Sequence, residues 1–126
     1  MSDELIDFSF LTVSTESEIP VWSLKAGETI FNQGDPATEL YVIQSGRVGI
    51  HLGNRLLDTL EANQMFGEMS MVDPAPRSAT AIATTDVRLV RLSKKQFLEL
   101  IRRSPTFALD VMGVLARRLR AANKAI

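Results

Sequence analysis

The stretch FGEMSMVDPAPRSATAIA, residues 66–83, places one glutamate and one arginine among apolar and small residues. Gly67 begins a segment that can form one helical turn, and the free backbone N–H groups of such a turn bind anions. The planar guanidinium of Arg77 offers paired donors that match the oxygens of a phosphodiester. Glu68 can accept a hydrogen bond from a sugar hydroxyl. The stretch therefore predicts a pocket for a compact sugar phosphate.

A second interpretation of the same residues is structural. Buried charges usually find a partner, so Glu68 and Arg77 could form a salt bridge that only stabilises the loop. Ser78 and Ala79, which follow the arginine, are small enough to let a ligand approach the backbone. On the residues alone, both interpretations stay open.

Composition excludes several classes of protein. The chain has 126 residues, which predicts one domain, and it has no cysteine for disulfides, iron–sulfur clusters or thiolate chemistry. His51 is the only histidine, so a histidine-based metal site would lack partners. The formal net charge of −1 gives no overall attraction to nucleic acid or anionic membrane. With no signal peptide and no apolar run of about 18 residues, we expect a cytoplasmic protein without a membrane segment.

The periodicity of the chain changes twice. Residues 1–19 give weak signals and predict a poorly structured segment or a short helix. From Pro20, short β-branched or alternating segments are separated by turn residues, and Gly53-Asn54 lies between two apolar runs as in a hairpin. After Leu92 the period becomes helical. Ser93 and Gln96 stand at capping-box positions, and Ser104-Pro105 separates two helices.

These segments predict a mainly β fold with C-terminal helices. We expect an antiparallel, jelly-roll-like β-roll barrel over residues 20–92, containing a short phosphate-binding helix within the opening stretch. Two C-terminal helices should follow over residues 93–126. Residues 20–126 are thus predicted to form one domain.

The opening stretch resembles the phosphate-binding cassette of the cyclic nucleotide-binding domain family. A second motif upstream, IFNQGDPATELYVIQSGRVGI, has Gly34 and Gly46 where that family keeps its β-roll glycines. The two motifs stand in the family's order, and the resemblance covers roughly residues 20–126. It departs at the N-terminus, where the family often has a longer helical segment.

The resemblance implies a role for each cassette residue. Arg77 would hold the cyclic phosphate, Glu68 would bind the ribose 2′-hydroxyl, and Gly67 would lie at the ribose. Backbone amides near Ser70, Ser78 and Ala79 would complete the phosphate cradle. The expected ligand-binding set is Gly67, Glu68, Met69, Ser70, Arg77, Ser78 and Ala79.

The last helix carries a separate pattern. Its apolar residues are spaced 3, 4, 3 and 4, as in the seam of a coiled coil, and they are Met112, Leu115, Leu119, Ala122 and Ile126. Packing against the chain's own β-roll explains the pattern equally well. The resemblance implies that this helix is a lid over the base and a dimer contact. The candidate lid residues are Leu115, Arg117, Arg118, Leu119 and Arg120.

Together these inferences predict a sensor rather than an enzyme. The expected ligand is cAMP, with cGMP as the alternative, and no cofactor or metal is expected. The predicted partners are a regulated protein of unknown identity and a second copy through the C-terminal helix, without specific DNA binding. Two alternatives stay open: the sensor portion of a larger transcription regulator or ion channel, and a scaffold with a non-functional pocket.

Overall fold

The computed structural model describes residues 21–73 and 75–123. The predictions for residues 1–19 and for Ile126 lie outside the described residues. The strands are β1 (Val21–Leu24), β2 (Thr29–Phe31), β3 (Glu39–Ser45), β4 (Val48–Leu52), β5 (Arg55–Leu60), β6 (Met65–Phe66), β7 (Thr80–Ala83) and β8 (Val87–Ser93). A 3₁₀ helix spans Glu68–Met71, and the α-helices are α1 (Lys94–Arg103) and α2 (Pro105–Ala122).

The strands form two four-stranded antiparallel sheets. Their orders are β1-β8-β3-β6 and β2-β7-β4-β5. This arrangement confirms the mainly β fold with C-terminal helices. The expected barrel closure is not found within the described residues, because no ladder joins the edge strands of one sheet to those of the other. Edge strand β6 has only two residues, too few to continue such a ladder.

Strand β3 divides the core into two layers, because successive side chains of a strand point to opposite faces. Leu40 and Val42 pack with residues of α1 and α2, while Tyr41 and Ile43 pack with the second sheet. From α2, Phe107, Val111 and Val114 are buried in the first layer. The structure thus places one apolar face of α2 against the chain's own β-roll.

Local sequence signals position the remaining boundaries. Ser93 Oγ accepts a hydrogen bond from Gln96 N at 3.2 Å, and Gln96 Oε1 accepts one from Ser93 N at 2.9 Å. These reciprocal bonds confirm the capping box at the start of α1. Gly53 has a φ of 60° in the turn between β4 and β5, which confirms the predicted hairpin.

Candidate functional site

The seven cassette residues named from the sequence line one cavity. Its volume is about 420 Å³, and its walls come from both the cassette and the β4–β5 hairpin. The lining residues from the cassette region are Phe66, Gly67, Glu68, Met69, Ser70, Asp73, Ala75, Pro76, Arg77, Ser78 and Ala79. The fold therefore brings the predicted site residues together, and their binding role stays a prediction.

Gly67 and the 3₁₀ helix shape the floor of this pocket. Gly67 has a φ of 77°, in the left-handed region that favours glycine. A Cβ at this position would lie 2.7 Å from Arg77 Nη1. The hydroxyl of Ser70 donates to the carbonyl oxygen of Gly67 at 2.7 Å, and its backbone N–H donates to the same oxygen at 3.2 Å. Ser70 thus holds the turn closed, and its amide is already engaged.

Arg77 is a buried cation with 8% of its surface exposed. Its Nη2 donates to the carbonyl oxygen of Glu39 at 2.6 Å, and its guanidinium carbon lies 4.2 Å from the ring centre of Phe31. Its Nε is buried without a hydrogen-bond partner among the described residues. No carboxylate of residues 21–73 or 75–123 forms an ion pair with it. A buried guanidinium without a carboxylate partner can bind an anion.

Two backbone hydrogen bonds join the upstream motif to Arg77. The N–H of Gly34 donates to the carbonyl oxygen of Arg77 at 2.8 Å, and the N–H of Arg77 donates to the carbonyl oxygen of Asp35 at 2.9 Å. The turn at Gly34, with a φ of 90°, therefore fixes the backbone that carries the guanidinium. The two sequence motifs meet at this residue.

Glu68 pairs with an arginine of helix α2. The carboxylate, which is also buried, accepts a hydrogen bond from Arg118 Nη1. Arg118 Nη2 donates to the carbonyl oxygen of Met65 at 2.6 Å. The structural interpretation of a Glu68–Arg77 salt bridge is therefore wrong, because the carboxylate is already paired and Arg77 binds backbone carbonyls instead. This ion pair joins α2 to the cassette.

Arg118 alone among the five candidate lid residues lines the pocket. Leu115 packs against the core layer below the helix, and the guanidinium of Arg117 lies beside Gly113. Leu119 and Arg120 are exposed to solvent. Successive residues of α2 are turned by about 100° around the helix axis, so Arg117 and Arg120 point in other directions than Arg118. Contact of the other four with a base stays a prediction.

The apolar seam predicted on the last helix is displaced in the structure. Leu115 is turned toward the core, whereas Met112 and Leu119 are exposed. The exposed stripe is made by Leu109, Met112, Ala116 and Leu119, again spaced 3, 4 and 3. Sequence reasoning missed Leu109 and Ala116 because it took Leu115 as a member of the seam.

Several lining residues were not identified from the sequence. Phe31, Ile50, Asp58 and Leu60 come from strands β2, β4 and β5, far along the chain from the cassette. Asp58 gave one signal, since it is an acidic residue within an apolar strand segment, RLLDTL. That signal did not distinguish a pocket residue from a solvated one.

Aromatic side chains pack behind the guanidinium. The rings of Tyr41 and Phe66 stack with centroids 5.1 Å apart, and Phe31 lies 5.9 Å from Tyr41. Burial raises the pKa of the Tyr41 hydroxyl above 10.0, and the negative charge of Glu39 raises that pKa further. The wall behind Arg77 is therefore apolar and keeps its phenol neutral.

Two features are absent from residues 21–73 and 75–123, the part of the chain that the structure describes. No group of three His, Cys, Asp or Glu side chains there is placed to hold a metal ion. Neither α1 nor α2 combines the length and the apolar character that crossing a bilayer requires.

Comparison with known proteins agrees with this geometry. Residues 21–104 match the family model of the cyclic nucleotide-binding domain. The cyclic AMP receptor protein of Thermus thermophilus is 44% identical over 102 residues, covering 77% of this chain and 47% of that protein. The CRP-like cAMP-activated global transcriptional regulator of Mycobacterium tuberculosis is 38% identical over 104 residues, covering 77% and 46%.

The crystal structure of the Thermus thermophilus catabolite activator protein superposes with a TM-score of 0.83 at 36% identity, covering 98% of this chain and 61% of that one. Fold and pocket define a regulatory ligand-binding domain. The chain belongs to the cyclic nucleotide-binding domain family. It spans about half the length of the two curated relatives it matches.

Proposed function

We propose that this chain is a sensor that binds cAMP, with cGMP as the alternative ligand, and performs no catalysis itself. The observation that carries the proposal is Arg77, a buried guanidinium with an unpartnered Nε and no carboxylate partner among the described residues. The cyclic phosphate would supply the missing negative charge. The names of both curated relatives refer to cAMP, which supports this ligand as the first choice.

The remaining cassette residues would bind the ribose and the rest of the phosphate. The 2′-hydroxyl would donate to Glu68, beside Gly67 at the pocket floor. Ser78 is exposed and can donate its hydroxyl to an equatorial phosphate oxygen, and Ala79 leaves room for the phosphate to approach the backbone. Met69, largely exposed at the pocket rim, would contact the apolar face of the ligand.

Arg118 gives the ligand a route to helix α2. Its guanidinium shares the Glu68 carboxylate that the ribose hydroxyl would use. A bound ligand would therefore change the contacts of Arg118. If α2 has two positions, the ligand shifts the equilibrium between them to the extent that its affinity differs between the two. The signal would leave the domain through this helix.

A second copy of the chain is the proposed occupant of the exposed stripe on α2. Leu109, Met112 and Leu119 are 65%, 57% and 62% exposed, and their spacing is that of a coiled-coil seam. Leu119→Glu should then lower the dimer fraction in sedimentation velocity, while Leu98→Glu, at an exposed leucine of α1, should not. A wild-type chain that sediments as a monomer at every concentration would refute this contact.

Titration calorimetry with cAMP, cGMP and 2′-deoxy-cAMP tests the proposal. Arg77→Ala should lose about 2–5 kcal/mol of binding free energy, as in the loss of one partner of a buried charge pair. Glu68→Gln should lose about 1–2 kcal/mol of binding free energy for cAMP. For 2′-deoxy-cAMP, which lacks the hydroxyl, the variant and wild type should bind with nearly equal affinity. Arg88→Ala, on an exposed strand position outside the pocket, is the control. Wild-type affinity in Arg77→Ala would show that the phosphate binds elsewhere.

The second candidate is the sensor portion of a longer transcription regulator. This chain covers about half of each curated relative, which favours this candidate, and the relative from Mycobacterium tuberculosis is a transcriptional regulator. We expect no specific DNA binding by residues 1–126 alone. Specific retention of a DNA fragment by this chain would contradict that expectation.

A further inference from the structure

All sulfur in this chain belongs to methionine. The sequence has no cysteine and five methionines, so every sulfur atom is a thioether. Hydrogen peroxide converts a thioether to a sulfoxide, a polar group, and methionine sulfoxide reductases reverse the change. Because peroxide must reach the sulfur atom from solvent, an oxidant that leaves the fold intact acts first on exposed methionines.

The methionines in the described part of the chain form two classes. Met65 and Met71 are 1% and 6% exposed and belong to the core layer that contacts the helices. Met69 and Met112 are 54% and 57% exposed. The two exposed thioethers should therefore react with peroxide well before the two buried ones. The buried pair also provides an internal standard, since its oxidation would require the domain to open.

Met69 differs from Met112 because it lies at the nucleotide pocket. The other three residues of its 3₁₀ helix, Glu68, Ser70 and Met71, are buried. The side chain of Met69 instead points outward and lines the pocket at its rim. Its own carbonyl oxygen accepts a hydrogen bond from the backbone N–H of residue 73 at 2.8 Å, which holds the turn in place. A chemical change at this sulfur therefore alters the pocket without entering the core.

We infer that Met69 is a peroxide-sensitive modification site through which an oxidant lowers the affinity of the domain for cAMP. This inference rests on the proposed binding of a cyclic nucleotide. A lone pair of the Met69 sulfur attacks one oxygen of hydrogen peroxide, the O–O bond breaks, and the other oxygen takes up a proton and leaves as water. The thioether is oxidised by two electrons to a sulfoxide, and the peroxide is reduced.

The sulfoxide weakens binding because its oxygen is a strongly hydrated acceptor. The thioether of Met69 offers an apolar, polarisable surface to a ligand that covers the pocket rim. A ligand that covers the sulfoxide must displace its water, and a polar group that is buried without a new hydrogen bond costs free energy. Oxidation of Met112 leaves the pocket surface unchanged, since this residue does not line the cavity.

The experiment treats wild type, Met69→Leu and Met112→Leu with hydrogen peroxide and stops the reaction while peptide mass spectrometry finds Met65 and Met71 intact. Leucine is close to methionine in volume and has no sulfur. The dissociation constant of cAMP for each protein is compared with that of its own untreated sample. We expect an increase of about fivefold in wild type and in Met112→Leu, and of less than about twofold in Met69→Leu. A methionine sulfoxide reductase should restore the wild-type value.

Protection by the ligand provides the second arm. Saturating cAMP should slow the formation of Met69 sulfoxide severalfold, because the bound nucleotide covers the pocket rim. Equal rates with and without cAMP, or equal affinity losses in wild type and Met69→Leu, overturn the inference alone. Tighter cAMP binding by the oxidised wild type also overturns it. Absence of cAMP binding to the untreated wild type overturns the proposed function, and this inference with it.

Discussion

The substitution Arg118→Met, which removes the cation of the Glu68–Arg118 ion pair, should destabilise the whole domain. Breaking one partner of a fully buried pair costs about 3–5 kcal/mol. Here the side chains of Arg118 and Glu68 are 25% and 9% exposed, so solvent screens part of the interaction. Arg118→Met would also leave the carbonyl oxygen of Met65 without its 2.6 Å donor. We therefore expect a loss of about 2 kcal/mol in the free energy of unfolding.

Urea denaturation gives the measurement, followed by the fluorescence of Trp22, the only tryptophan. Glu68→Gln and the double variant complete a double-mutant cycle, whose coupling free energy should be about 1–2 kcal/mol. Arg120→Met is the matched control, because it removes an exposed arginine of the same helix and should change stability by less than about 0.5 kcal/mol. Equal losses for Arg118→Met and Arg120→Met, together with additive free energies in the cycle, would refute the anchoring role of this pair.

Two further predictions concern the wall around Arg77. Gly67→Ala should lower the free energy of unfolding by about 1–2 kcal/mol, because alanine is strained at this positive φ. It should also weaken cyclic nucleotide binding, because the new methyl group would displace the Arg77 guanidinium. Gly53→Ala is the control: its φ is also positive but its surroundings are open, so affinity should stay unchanged. Tyr41, the only tyrosine, should show an absorbance midpoint above pH 10.0 in the folded chain. Because its folded pKa is raised, the stability it confers is complete below the unfolded pKa and is lost as pH rises through the folded pKa; a midpoint at or below 10.0, or an alkaline loss unaltered in Tyr41→Phe, would contradict this.

The sequence predicted the features that depend on neighbouring residues. The Ser93 capping box and the Gly53-Asn54 hairpin each need only a few consecutive residues, and both are present in the structure. The alternation of β3 predicted a strand, but not that its two faces serve separate core layers. Barrel closure was predicted wrongly, because it depends on which edge strands meet and on how long they are.

The pocket was predictable on its cassette side and not on its hairpin side. Gly67, Glu68 and Arg77 lie within one short motif, whereas Ile50 and Asp58 reach the same cavity through sheet pairing. The hydrogen bonds from the Gly34 turn to Arg77 join residues that are distant in sequence. Long-range partners of this kind leave no periodic pattern in a single sequence, so excluding a Glu68–Arg77 pair needed the fold.

Helix α2 carries a buried apolar stripe and an exposed apolar stripe, both visible in its sequence. Its buried stripe is Phe107, Val111 and Val114, and the next position of that stripe is Arg118, so one charged residue continues an apolar face. A charge at such a position needs a partner, and the structure supplies Glu68. The exposed stripe that contains Met112 and Leu119 lies one residue further on, about 100° around the helix. Because both stripes belong to one helix, a ligand that shifts α2 when Arg118 leaves Glu68 would also shift the surface proposed for the second copy.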